Sequence, residues 1–226
     1  DLHNFVRIAA AAALCALTCA CAGGGAEVDF VSKEYESGGC EAEMRIVQFG
    51  GAGDFCRAQN ERWEQCAQET LDEFLRRGEG ADEAKLELDS RVAANNGALV
   101  SVVAEGEAYT GGAHGEKFRI CRTVDLAAGR EFSLDDIFAD AGWRDFADAR
   151  MKELAESGAE EYADLWERPS AEQLGADCFY IKGNKIVFWF PPYALSYYRK
   201  GFVEFEFALK DFVGYLSDDF KIAAKI

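Results

Sequence analysis

A histidine set among glycines is the first place in the sequence where chemistry could occur. Residues 109–115 are Tyr-Thr-Gly-Gly-Ala-His-Gly, and His114 is one of two histidines in the chain. A histidine in this setting can be a general base, a metal ligand or part of a tight turn. The first two roles would indicate an enzyme or a metal protein, and the third is compatible with a binding module.

The residues around His114 favour the turn. A catalytic triad needs a nucleophile, but the sequence has no Gly-x-Ser-x-Gly or comparable motif. A metal site would have to combine His114 with carboxylates such as Glu116, because no His-x-x-x-His spacing is present. Gly111 and Gly112 instead supply backbone angles that other residues avoid, and Gly115 gives room on the far side. The imidazole can then hydrogen-bond across the turn and fix two strands. We therefore predict no catalytic residue, no metal ligand and no cofactor. The residues predicted to form the turn, or to contact a partner there, are Tyr109, Gly111, Gly112, His114 and Gly115.

A run of aromatic residues towards the C-terminus is a second candidate for recognition. Aromatic rings can stack on the sugar rings of a glycan, but a sheet also buries them in its core. Most of these rings fall on predicted strand positions, where we expect core packing. Tyr197 and Tyr198 lie beside Arg199 and Lys200, and we predict that these two tyrosines are exposed. The full run is Phe188, Trp189, Phe190, Tyr193, Tyr197 and Tyr198.

The first 21 residues predict a signal peptide. An apolar run of roughly 15 residues follows Arg7, which is short for a membrane span of about 20 residues. The run ends in Leu-Thr-Cys-Ala-Cys-Ala-Gly-Gly-Gly, a pattern similar to that of a bacterial lipoprotein signal. We predict lipid attachment at Cys21, with Cys19 as the alternative, and a flexible tether over residues 22–27. The protein would then face outward from an envelope membrane, or be secreted if it is not lipidated.

Five cysteines lie beyond this leader, so at least one thiol is left over if the others pair. Cys56 and Cys66 fall ten residues apart on one predicted helix, too far to bond each other. Their spacing offers no Cys-x-x-Cys motif for zinc or redox chemistry. The pairing stays open among Cys40, Cys56, Cys66, Cys121 and Cys178.

The composition is that of a folded, strongly acidic protein. The 226 residues are 49% hydrophobic and 29% charged, and the net charge is −17. By length, this is one large domain or two small ones. Such a charge disfavours nucleic acid and anionic lipid as partners, so membrane attachment would occur through the N-terminal lipid only. The acidity can serve solubility, or it can attract a basic partner.

The hydrophobic pattern predicts short strands joined by turns, together with a few amphipathic helices. Strands are predicted at 28–37, 40–49, 85–92, 98–109, 117–124, 178–190 (a hairpin) and 202–209. Helices are predicted from Phe55 to Leu75 after a cap at Asp54, from Leu134 to Phe138 after a cap at Ser133, over 143–154, and over 209–216. This order indicates an α+β fold with antiparallel sheets and helices packed on one face. We place two intimately packed subdomains at 28–124 and 125–226.

Three motifs give the chain a resemblance to a known pair of domains. They are Tyr-x-Gly-Gly-Ala-His at 109–114, Asp125-Leu126 with Gly129 before Phe-Ser-Leu-Asp-Asp-Ile-Phe, and the Pro192-Tyr193 exit from the last hairpin. Their order resembles the domains of unknown function in the extracellular part of RsiV-type anti-sigma factors and in PdaC-type peptidoglycan deacetylases. The similarity runs from about residue 28 to the C-terminus. The chain departs from the family in its five cysteines and in Tyr193–Gly201, where a further proline is common.

The resemblance implies a non-catalytic envelope module. RsiV-type domains bind lysozyme, so it implies lysozyme as one partner, and the PdaC-type relatives imply peptidoglycan as another. The acidic surface independently favours a basic protein such as lysozyme, because it would steer that protein towards it. The alternative is a hydrolase acting on the cell wall, with His114 as base beside nearby carboxylates. We predict that the protein is not an enzyme.

Overall fold

A computed structural model describes residues 25–226. The strands are β1 (Val28–Ser37), β2 (Cys40–Phe49), β3 (Ala84–Asn95), β4 (Leu99–Tyr109), β5 (Glu116–Asp125), β6 (Arg130–Phe132), β7 (Phe179–Lys182), β8 (Lys185–Phe190) and β9 (Val203–Ala208). The helices are α1 (Asp54–Arg77), α2 (Leu134–Ile137), α3 (Trp143–Ala155) and α4 (Asp218–Ala224), with short 3-10 turns between some elements. The predicted α+β class is confirmed.

The strands form two sheets. One has six strands in the order β1-β2-β3-β4-β5-β6, and the other has three strands in the order β7-β8-β9. Strands β1 and β2 are joined by a tight turn at Gly38 and Gly39, whose φ angles are +61° and +85°. Strands β2 and β3 are parallel, contrary to the antiparallel expectation. The reason is that α1 joins them, and such a crossover returns the chain in its original direction.

Helix α1 includes the range predicted from Phe55 to Leu75. Its buried residues are Gln59, Trp63, Ala67, Leu71 and Phe74. The predicted cap at Asp54 is wrong. Gly53 takes the capping position without a side-chain hydrogen bond, and Asp54 is the first helical residue. A carboxylate in the first turn is still favourable there, because it faces the positive end of the helix dipole.

The C-terminal part of the chain differs from the prediction at two places. The turn after β5 contains a short strand, β6, which pairs with β5. The closing helix begins later than predicted, because residues 209–212 form a 3-10 turn and α4 starts only after the Ser217 cap. The Ser133 cap of α2 is confirmed, and its hydroxyl accepts a hydrogen bond from the backbone N–H of Asp136.

The chain divides into two compact units. Within the described residues, one unit comprises 25–91 together with Ala104–Arg119, and the other comprises Val92–Val103 and Ile120–Ile226. The subdomain boundary placed at 124 and 125 stays a prediction. The second unit has a large aromatic core, to which β8 and β9 contribute alternate residues. These core residues are Ile186, Phe188 and Phe190 of β8 and Val203, Phe205 and Phe207 of β9.

The predicted signal peptide and tether, with Cys21, fall mainly on residues 1–24 and so lie outside the described part of the chain. Within residues 25–226, no helix combines the length and the apolar character that a bilayer crossing requires.

Candidate binding site

Four aromatic side chains from two neighbouring loops form what we call the aromatic site: Trp166, Tyr193, Tyr197 and Tyr198. Trp166 and Tyr197 pack edge to face, with ring centroids 4.6 Å apart and an interplanar angle of 84°. Tyr193 and Tyr198 lie 5.5 Å apart at 37°. Trp166, Tyr193 and Tyr197 are each at least half exposed. They are the only aromatic residues among the exposed large hydrophobic residues of the described chain.

One backbone and one side-chain hydrogen bond hold the two loops of the aromatic site together. The N–H of Trp166 donates to the carbonyl oxygen of Leu195 at 3.0 Å. The hydroxyl of Ser196, a buried residue, donates to the carbonyl oxygen of Asp164 at 2.9 Å. The exposed rings therefore lie on loops that hydrogen bonds join close to the rings.

The backbone at Tyr193 is in an uncommon conformation. Its φ angle is +70°, in the left-handed region that bulky residues rarely adopt. The N–H of Ala194 donates to the carbonyl oxygen of Pro191, so Pro192 and Tyr193 occupy the two central positions of a four-residue turn. A positive φ at the third position is typical of a type II turn, where glycine is preferred. The chain thus keeps a large aromatic ring at a position that favours glycine on conformational grounds.

Charged side chains border the rings. The Arg199 guanidinium lies 5.9 Å from the centroid of the Tyr197 ring and 3.7 Å from the Asp164 carboxylate. Lys200 donates through Nζ to the carbonyl oxygen of Ala163 at 2.6 Å. The Arg199 side chain is 80% exposed, so its guanidinium is available to a ligand above Tyr197.

The glycine turn lies between β4 and β5, in the first unit. Gly111 and Gly112 have φ angles of +95° and +106°, so the backbone there uses the freedom expected of glycine. His114 is exposed, and its Nδ1 lies 2.8 Å from the carbonyl oxygen of Gly115, the next residue. The Tyr109 hydroxyl donates to the carbonyl oxygen of Gly112 at 3.3 Å. The role of His114 in this turn stays a prediction.

Glu116, the carboxylate nearest to His114 in sequence, forms an ion pair with Arg77. A Cβ atom at Gly115 would lie 2.6 Å from Oε1 of Glu107, so this position has room only for glycine unless Glu107 moves. Across residues 25–226, no group of three or more His, Cys, Asp or Glu side chains is arranged to hold a metal ion.

Among residues 25–226, none of the five cysteines forms a disulfide. The pKa of Cys178 is raised, mainly because the thiol is buried. The group therefore stays a protonated thiol at neutral pH. A raised pKa is opposite to what a reactive cysteine needs.

The predicted turn residues around His114 thus lie in the first unit, and the predicted exposed tyrosines lie in the second. Only the tyrosines have a further exposed aromatic residue, Trp166, packed beside them. Tyr197 is exposed as expected, and Tyr198 is partly buried against Tyr193. Sequence reasoning missed Trp166 and assigned Tyr193 to the run that packs mostly in the core. A signal was present for both residues, because a tryptophan in a polar loop and a tyrosine after two prolines have no strand or helix to bury them.

Comparison with known proteins finds similar folds among solved structures and no match at the level of sequence. No family model matches the sequence, and no curated protein matches it. The structure is similar to a DUF3298 family member from Bacteroides fragilis, with a TM-score of 0.70, 15% identity, and coverage of 89% of this chain and 97% of that one. It is also similar to a DUF3298 family protein from Pseudomonas aeruginosa PAO1, with a TM-score of 0.65, 15% identity, and coverage of 86% and 96%. At this identity the likeness shows the fold. The association with RsiV-type and PdaC-type proteins stays a prediction.

Proposed function

We propose that the protein is a non-catalytic module of the bacterial cell envelope that binds its partner through the aromatic site. The observation that carries this proposal is the group of exposed rings on two hydrogen-bonded loops. Exposed apolar residues scattered singly are normal on a protein surface, but a contiguous group commonly marks an interaction site.

The physical reason is the low cost of binding through such rings. Tyrosine and tryptophan offer large contact areas, yet they have only two side-chain torsions to immobilise. Tyr197 and Trp166 already constrain each other by packing edge to face, so part of that ordering is complete before a partner arrives. Tryptophan, tyrosine and arginine are also the residues that most often dominate binding energy at interfaces.

Two partners fit an outward-facing envelope protein. Lysozyme, the partner implied by the RsiV resemblance, is strongly basic and would be attracted by a net charge of −17. Peptidoglycan, implied by the PdaC resemblance, has sugar rings that suit an aromatic surface. Attachment through Cys21 would hold the module beside either partner.

The test uses two assays on the purified protein. Co-sedimentation with isolated peptidoglycan sacculi measures wall binding, and calorimetry with lysozyme at low and physiological salt measures protein binding. The Trp166→Ala/Tyr197→Ala double variant removes the edge-to-face ring pair. The matched control is Ile222→Ala, which also truncates an exposed apolar side chain, 76% exposed on α4.

We expect one of the two partners to bind at physiological salt. The double variant should lose most of that binding, and Ile222→Ala should keep it. Binding that vanishes with salt, or that any other basic protein equals, would reflect charge alone and would contradict a lysozyme role. Failure of both partners to bind, or equal binding by all three proteins, would contradict the proposal.

A further inference from the structure

We infer that the ligand of the aromatic site is an acidic glycan strand, with pyranose rings stacked on Trp166 and Tyr197 and a carboxylate paired with Arg199. This inference rests on the proposed function and narrows it to one ligand chemistry. The glycan of peptidoglycan has that chemistry, because its muramic acid residues carry either a free lactyl carboxylate or, where a stem peptide is attached, the carboxylates of that peptide.

The arrangement of the rings suits a carbohydrate. A pyranose ring has an apolar face of C–H groups and a rim of hydroxyl groups, so it needs a ring face with polar groups at the edge. Trp166 and Tyr197 are half exposed and nearly perpendicular, which leaves ring surface open to solvent. Asp164 and Arg199 lie 3.7 Å apart beside them, with side chains 65% and 80% exposed, and supply an acceptor and a donor group at that rim.

The local charge argues for an acidic ligand. Residues 163–168 and 191–201, the two loops of the aromatic site, contain three basic residues and two acidic ones. The whole chain has the opposite balance, with 24 basic and 41 acidic residues. These loops are therefore less acidic than the rest of the chain, although Glu160 and Glu161 lie just before the first of them, and Arg199 offers a carboxylate-bearing glycan a cation to pair with.

Arg199 lies where it can bind a carboxylate of the ligand. Its guanidinium lies 5.9 Å from the centroid of the Tyr197 ring, within the range of a cation–π contact. A sugar on Tyr197 would bring its substituents close to this group. Guanidinium groups bind carboxylates through two parallel hydrogen bonds, so Arg199 can distinguish an acidic sugar from a neutral one.

The loops are also pre-organised for a weak ligand. Single sugars gain little on binding, so a site that had to order its loops would bind them poorly. Here the Trp166–Leu195 and Ser196–Asp164 hydrogen bonds join the loops, and the turn at Tyr193 is closed by the hydrogen bond from the Ala194 N–H to the carbonyl oxygen of Pro191.

The test is a fluorescence titration, for which the chain is well suited. It has four tryptophans, and Trp63, Trp143 and Trp189 are buried, so ligand-dependent quenching should come mainly from Trp166. One probe is a soluble peptidoglycan glycan fragment that carries its carboxylates. The other is a neutral N-acetylglucosamine oligosaccharide of the same length.

The inference predicts tighter binding of the acidic fragment. Tyr197→Ala should weaken both probes by at least about tenfold, and Tyr197→Phe, which keeps the ring, should bind nearly as well as the original protein. Arg199→Ala should weaken only the acidic fragment, and so remove the preference between the probes. Ile222→Ala should change neither titration. Unaltered thermal melting of each variant excludes misfolding as the cause.

Two results would overturn the inference. One is the absence of saturable binding by either probe. The other is a preference for the acidic fragment that Arg199→Ala leaves unchanged. If the ring substitutions abolished lysozyme binding while no glycan bound, the aromatic site would be a protein interface. The proposed module would then stand, and the glycan inference would fail.

Discussion

At Tyr193 the chain keeps an exposed ring at a conformational cost. An L-residue in the left-handed region costs about 1–2 kcal/mol, and glycine would avoid that cost. The φ angle of +70° belongs to a residue whose side chain is 57% exposed, so little burial offsets it. Strain of this kind is commonly found at functional sites. The exposed ring is the feature that a substitution by glycine would sacrifice.

Two substitutions at this position separate the backbone from the ring. Tyr193→Gly and Tyr193→Ala both remove the ring, but only glycine relieves the backbone. We expect the glycine variant to be more stable than the alanine variant by about 0.5–1 kcal/mol. Both should lose partner binding to a similar extent. Urea denaturation gives the first comparison and the sacculus assay the second; an alanine variant as stable as the glycine variant would contradict the left-handed conformation.

The turn at His114 depends on its glycines more than on its imidazole. His114 is exposed and hydrogen-bonds the next residue, so His114→Ala should change the free energy of unfolding by less than about 0.5 kcal/mol. Gly112→Ala should cost about 1 kcal/mol or more. Its φ angle is +106° while a Cβ there meets no atom within 4 Å, so the cost is conformational. Denaturation curves test both values. A hydrolytic activity lost in His114→Ala would instead support the enzyme alternative.

Among the elements, α2 depends on a reciprocal cap. The Ser133 hydroxyl accepts from the Asp136 N–H, and the Asp136 carboxylate accepts from the N–H of Ser133. The Ser133 hydroxyl also donates to that carboxylate at 2.6 Å. The hydroxyl bond is the main cause that lowers the pKa of Asp136 below its ordinary value near 3.8, and the backbone bond is the next. Because the folded pKa is the lower one, the carboxylate adds stability above the unfolded pKa. This stability is lost as pH falls through the folded pKa.

Substitutions at both ends of this cap test its contribution. Ser133→Ala should lower the free energy of unfolding by about 1 kcal/mol at neutral pH, as is usual for a lost N-cap. Asp136→Asn keeps the shape but cannot ionise, so its melting temperature should fall less steeply than that of the original protein as pH decreases from 5 towards 2. Melting curves across this range give the result, and parallel curves for the two proteins would contradict the role of Asp136.

The sequence predicted elements wherever local pattern and burial agree. The alternation in β9, the hairpin of β7 and β8, and the Ser133 cap all follow from neighbouring residues. The sequence pattern did not predict the elements that depend on contacts between distant residues. Strand β6 has three residues, so its pairing with β5 defines it, and the parallel β2–β3 pair depends on the crossover by α1. The aromatic site was only partly predicted, because Trp166 and Tyr197 lie 31 residues apart and meet through loop packing.

For the protein as a whole, attachment to the envelope depends on one predicted modification. If Cys21 is lipidated, the native protein should fractionate with membranes, and Cys21→Ser should release it into the soluble fraction. Cys19→Ser is the matched control and should leave the protein membrane-bound. Mass spectrometry of the native N-terminus checks the lipid directly, and an unmodified N-terminus would contradict the prediction.

The most direct test of the central claim is oxidative footprinting of the purified protein with and without its partner. Hydroxyl radicals modify exposed aromatic side chains, and mass spectrometry reports the extent at each residue. Soluble peptidoglycan fragments and lysozyme are each used as the partner. Our account predicts that Trp166, Tyr193 and Tyr197 react readily in the free protein and are protected by the partner that binds. Full reactivity of these residues in a saturated complex, or protection confined to the turn around His114, would contradict it.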